Sequence, residues 1–178
     1  MADFTIWNDN DAESPRDWEN LGTMVCFHGR YTLGDKHDYR SADYSGWDEM
    51  EAAIMRDHPG AVILPLFLYD HSGITMNTTG FSCPWDSGQV GFIFASREAI
   101  REAYGVKLVT KKIRARATES LRGEVETYDQ YLTGEVYGFT MDYGNGETDS
   151  CGGFYGDNPM TNGMSEHIDK KYHHMLAR

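Results

Sequence analysis

Apolar residues change their spacing several times along this 178-residue chain, and each change marks an element. FTIW at residues 4–7 alternates apolar and polar positions, as a short strand does, and LGTMVCFH at 21–28 predicts a second strand beyond the polar loop NDNDAESP. After the loop-rich stretch 29–46, the spacing Trp47, Met50, Ala53, Ile54 predicts an amphipathic helix. Asp48, Glu49 and Glu51 sit in its first turn, Ser45 or Gly46 caps it, and it stops before Pro59. AVILPLFLY at 61–69 is dense enough for a strand buried on both faces, with Pro65 marking an edge position or a bulge.

GITMNTT at 73–79 predicts the returning arm of a hairpin and QVGFIFA at 89–95 a further strand, followed from Ser96 by a helix through Ile100 and Tyr104. Val109, Ile113, Ala117, Leu121, Val125, Tyr128 and Leu132 recur at spacings of four and three, which predicts the longest helix. EVYGFTMDYG reads as a strand through Val136 and Phe139 or Met141, ending in the turn GNG. A final helix from Ser165 is expected to pack Ile168, Tyr172 and Met175 or Leu176. The short connections at 70–90 favour hairpins over parallel crossovers. The pattern therefore predicts an α+β fold, a mainly antiparallel sheet with amphipathic helices packed on it, in a single domain over residues 1–178.

Charge adds a second layer. The formal net charge is −12, and the ten acids from Glu124 to Asp169 have no Lys or Arg among them. Lys107, Lys111, Lys112, Arg114, Arg116 and Arg122 crowd one basic segment, diluted by Glu119, most of it on the outward face of the longest helix. The start MADFTIWNDND has neither the basic residues nor the apolar run of a secretory leader. No apolar segment approaches the roughly 20 residues that span a bilayer. A soluble protein of the cytoplasm is expected. The three cysteines are widely spaced without CxxC, which predicts reduced thiols rather than a disulfide framework or zinc knuckle.

Three groups of residues carry candidate chemistry. His71, Cys83 and Asp86 supply a base, a thiol nucleophile and an orienting carboxylate if the strands around them pair as a hairpin. Against that stands a structural reading of the same segment. Asp86 and Ser87 would bond nearby amides while Gly88 supplies a positive φ, leaving Trp85 and Gln89 to line a pocket. Asp142, Glu147, Asp149 and Asp157 are candidate partner-binding carboxylates, able to accept from Arg as phosphate oxygens do. Lys111, Lys112, Arg114 and Arg116 form a candidate nucleic-acid contact, although aromatic interleaving is poor and no known nucleic-acid motif accompanies them. Asp9, Asp11 and Glu13 alternate as in a calcium loop but lack its glycine and distal glutamate. Cys26 and His28 would share a strand face, with His71 or Cys83 as partners only in space, and His173 with His174 reads as an exposed tail. No metal and no cofactor is assigned.

Four blocks, residues 9–35, 68–94 (with WDSGQVGFI), 135–142 and 149–157, resemble a family of small uncharacterised proteins encoded by bacteriophages, prophages and conjugative plasmids. In that family an aromatic often stands where this chain has Gly152, so the DSCGGFYG segment is expected to pack in its own way. The resemblance implies a setting, the cytoplasm of a host cell, rather than a reaction. With the segregated charge it yields the leading expectation: an accessory protein that inhibits a host defence or nucleic-acid-handling complex, of anti-CRISPR or anti-restriction type, by binding it through acidic surfaces. Two other expectations remain: a small enzyme using Cys83, His71 and Asp86, and a regulator whose basic helix at 107–122 binds nucleic acid.

Overall fold

In the computed structural model, which describes residues 2–176, seven strands and three α-helices are interleaved along the chain. They are β1 (Asp3–Asn8), β2 (Thr23–Cys26), α1 (Trp47–Asp57), β3 (Val62–Asp70), β4 (Ile74–Asn77), β5 (Ser87–Ala95), α2 (Arg97–Tyr104), α3 (Lys111–Thr133), β6 (Val136–Asp142) and β7 (Thr148–Tyr155). Every strand pairing is antiparallel, in two sheets ordered β1-β6-β7 and β2-β5-β3-β4. The fold is α+β, as the pattern predicts. By internal contacts the described residues form two compact units, 16–126 and 2–15 with 127–176, and α3 runs through the boundary between Glu126 and Thr127.

In residues 16–126 the apolar run of β5 is buried from Val90 to Ala95, because this strand is central and covered on both faces. Val25 of β2 lies opposite Phe92, and both join Met50 and Ile54 of α1 in one cluster. Met24 opposite Ile93 faces the other way, where Gly22 lies against Leu121 of α3 and Ile93. Leu121 is fully buried, which stabilises the fold by about 2 kcal/mol. Pro65 satisfies both expectations for it. β4 pairs only Phe67–Asp70, so the first half of β3 has an open edge, and the register shifts between Leu66 and Phe67. The caps follow local chemistry: Ser96 Oγ accepts from Ala99 N at 3.1 Å to start α2, while Gly46 precedes α1 and Glu49 reaches back to Ser45 N at 2.7 Å.

In the other unit, Phe139, Met141 and Phe154 of the three-stranded sheet pack with Met164, Ile168 and Leu176. Two differences from the sequence pattern appear here. The strand β7 was not predicted, because its residues Gly152 and Gly153 interrupt the alternation. Between the Tyr137–Phe154 and Phe139–Cys151 pairs, two β7 residues, Gly152 and Gly153, oppose the single β6 residue Gly138, a bulge in which Gly153 takes φ +81. The final segment is not one α-helix but two 3-10 turns, Met164–His167 and Lys170–Met175. Ile168 between them is extended, and its side chain is buried with Met164 and Leu176. His173 is correspondingly half-buried, its Nε2 2.9 Å from Ile168 O, rather than part of a free tail.

Candidate functional site

The hairpin linking β3 and β4 brings the predicted catalytic residues together. His71 N donates to Gly73 O at 3.0 Å across the tight turn, in which Ser72 takes φ +59, and Asp70 N donates to Asp86 O at 2.8 Å. That backbone bond sets the Asp86 carboxylate beside the hairpin. Its Oδ2 lies 3.3 Å from His71 Nδ1 and 3.8 Å from Cys83 Sγ. The order is therefore imidazole, carboxylate, thiol. Asp86 meets the His71 imidazole, but the thiol also meets the carboxylate, whereas an activated cysteine needs the imidazole beside its sulfur.

The competing turn chemistry is corrected. Gly88 is not among the positive-φ glycines and already belongs to β5, and Ser87 Oγ donates to the Cys83 carbonyl instead of accepting from an amide. The Asp86 carboxylate is likewise spent on side chains. Trp85 is 92% exposed, and the Gln89 amide turns back to Gly91 O at 3.3 Å. An open cleft of about 1090 Å³ lies elsewhere, between the end of β2 and the loop after it, against Cys26, His28, Tyr31, Lys36 and His37.

One wall of that cleft is an ion-pair node absent from the sequence reading. Arg16, with a side chain 5% exposed, grips Asp35 in a fork (Nε to Oδ1 2.9 Å, Nη2 to Oδ2 2.6 Å) and Glu124 Oε2 at 3.1 Å. Both carboxylates also cap backbone amides: Asp35 accepts from Met24 N at 2.7 Å and Glu124 from Leu21 N at 2.8 Å. Burial opposes the Arg16 charge, yet the bonds and charges of Asp35 and Glu124 hold the guanidinium above the usual arginine range.

Cys26 and His28 both line the cleft without joining a common ligand set. His28 Nδ1 accepts from the amides of Arg30 at 3.2 Å and Tyr31 at 3.3 Å, which directs its Nε2–H toward Asp70 Oδ2, 3.7 Å away and already paired with Arg30. Among the described residues no group of three or more His, Cys, Asp or Glu could hold a metal ion. Asp9 works structurally, accepting from Asp11 N at 3.2 Å and Gly153 N at 2.8 Å.

Burial, with the nearby Asp35 charge, pushes the Cys26 thiol from an ordinary 9.0 up to about 12. The folded state thus favours the neutral thiol, and the associated stability is present below pH 9 and lost as pH rises toward 12. Titration with a thiol reagent at pH 8 is expected to modify Cys83 and Cys151 first and Cys26 only on unfolding. Equal rates for all three in the native protein would refute this.

The partner-binding carboxylates do not form one patch. Asp142 closes β6, Glu147 lies in the following turn, and Asp149 begins β7, where it accepts from Tyr143 OH at 2.6 Å. Asp157 follows the far end of β7, about 20 Å along the strand. The charge segregation is nonetheless structural: residues 2–15 with 127–176 hold twelve acids against Lys170 and Lys171. Of the basic residues, Arg114 donates to Gly60 O at 2.8 Å and Ala61 O at 2.9 Å, and Arg116 lies over the Tyr104 ring at 4.8 Å. Lys111 and Lys112 remain exposed. The basic helix is thus half committed to internal contacts.

No family model, curated protein or solved structure matches this chain. Among the described residues no helix is long and apolar enough to cross a membrane. The residues that sequence reasoning missed are Arg16, Asp35 and Glu124, together with Trp7, whose ring lies over Gly138 and against Gly152. Gly138 inside a strand is the signal that could have led to Trp7, since a strand glycine marks a close approach.

Proposed function

We propose that this protein acts by binding, as an accessory protein of a phage or mobile element that inhibits a host defence or nucleic-acid-handling complex of anti-restriction or anti-CRISPR type. The observation that carries the reading is the concentration, among the described residues 2–15 and 127–176, of twelve acids against two lysines. Such a surface repels nucleic acid and suits a basic channel shaped for phosphates. The likeness of residues 9–35 and 68–94 to phage and plasmid proteins supplies the setting. The Cys83 thiol, facing a carboxylate, gives the enzymatic reading no support of its own.

The test is inhibition of purified restriction and CRISPR nucleases by the natural protein and by a variant with Asp142, Glu147 and Asp149 changed to their amides. Inhibition that weakens at least tenfold in the variant, fades as salt rises and survives Cys83→Ser is expected. Failure to bind or inhibit any such nuclease would sink the proposal.

A further inference from the structure

The outer face of the β1-β6-β7 sheet carries a row of small polar residues and one aromatic ring. Thr5 and Thr140 are paired in register, as are Thr140 and Ser150, and Thr140 Oγ1 bonds both Trp7 Nε1 at 3.2 Å and Ser150 Oγ at 3.3 Å. Trp7, opposite Gly138, lies flat across the strands. A Cβ added at Gly138 would overlap its six-membered ring, and one at Gly152 would come within 3.1 Å of it. Backbone thus covers one side of the indole, and its remaining 37% exposure falls on the other. The bond to Thr140 fixes the ring in this posture. It is a rigid stacking platform, and the Asp9 carboxylate stands at its edge, beside Gly152.

At the opposite end of the same face, Asp3 lies directly across from Asp142. Like charges facing each other across strands destabilise a sheet. Neither is ion-paired to a Lys or Arg among the described residues, and Asp142 is met only by the amide of Gly144 at 2.7 Å. Four residues of β1, about 13 Å, separate this carboxylate pair from the indole. Aromatic face and carboxylates together favour a planar cation: guanidinium stacks on indole and forks onto carboxylate, whereas ammonium is more strongly hydrated and lacks the plane.

We propose that this sheet face docks an arginine-bearing basic segment of a partner protein, one guanidinium stacking on Trp7 beside Asp9 and a second cation, about 13 Å away, entering between Asp3 and Asp142. The inference rests on the acidic-surface reading and names the side chain that the surface selects. Gly138 and Gly152 serve it by letting the ring lie down. An aromatic at position 152, as in the resembling family, would compete for the same space.

The experiment compares nona-arginine and nona-lysine peptides by calorimetry and by the indole N–H resonances of the 15N-labelled protein. Nona-arginine is expected to bind about three- to tenfold more tightly and to shift the Trp7 indole resonance. Trp7→Ala should abolish that preference, Trp7→Phe should keep part of it with an unchanged thermal melt, and Asp3→Asn with Asp142→Asn should weaken both peptides. Equal affinities, or an arginine preference indifferent to Trp7→Ala, would overturn the stacking site while leaving the acidic-surface reading intact. Absence of binding by either peptide would remove both.

Discussion

Replacing Arg16 by alanine is expected to lower the unfolding free energy by about 3–5 kcal/mol, because it leaves two partly buried carboxylates without their counter-charge. The side chains of Asp35 and Glu124 are only 21% and 14% exposed, so water cannot take over the role of the guanidinium. The carboxylates cannot simply swing outward either. Asp35 also accepts from Met24 N, and Glu124 from the amides of Leu21 and Gly22, so turning away would orphan those donors. Arg16→Lys keeps the charge but cannot reproduce the fork on Asp35 together with the bond to Gly22 O at 2.7 Å, and should fall between the two. Glu124→Gln keeps an oxygen for the Leu21 amide and should be milder than Arg16→Ala. Urea unfolding measures all three, and a loss below about 1 kcal/mol for Arg16→Ala would mean that the node is not the buried linchpin described.

Gly91→Ala is expected to cost about 3 kcal/mol or more. Gly91 lies in the middle of β5, between Cys26 of β2 and Leu66 of β3. A Cβ there would overlap the Val25 carbonyl oxygen, with the Val25 carbonyl carbon at 2.9 Å and Cys26 Cα at 3.0 Å. All of these are backbone atoms of a paired strand, so no rotamer change relieves the clash, and β2 would have to part from β5. That movement would also strain the Phe27 N to Val90 O bond at 2.7 Å and the packing of Val25 on Phe92. Gly88, three residues earlier in the same strand, has nothing within 4 Å of an added Cβ. Gly88→Ala should therefore stay within about 0.5 kcal/mol of the natural protein. Comparable thermal melts for the two variants would contradict the register drawn for β2 and β5.

The elements whose partners lie close in sequence were legible from the chain. The periodicity of α3, the caps of α1 and α2, and the hairpin of β3 with β4 all follow from spacing and turn chemistry within a few residues. Pro65 likewise announced an open edge and a shifted register, because a missing N–H is a local property. The α+β class follows from these alone.

Arg16 meets its partners 19 and 108 residues away, and nothing in the spacing of charges marks Glu124, on a helix that also carries Glu119, Glu126 and Asp129, as the one turned inward. Trp7 rests on glycines from two strands more than 130 residues later, and β7 became readable only as the partner of β6, its bulge absorbing the glycines that hide its alternation. His71 and Cys83 both lie against Asp86, and their order in space depends on the Asp70–Asp86 backbone bond. Periodic burial is written into each segment, since every residue of a helix or strand meets the same environment at a fixed interval. Which carboxylate faces which cation, and which ring lies on which glycine, depends on how segments meet, and that was decided by tertiary packing alone.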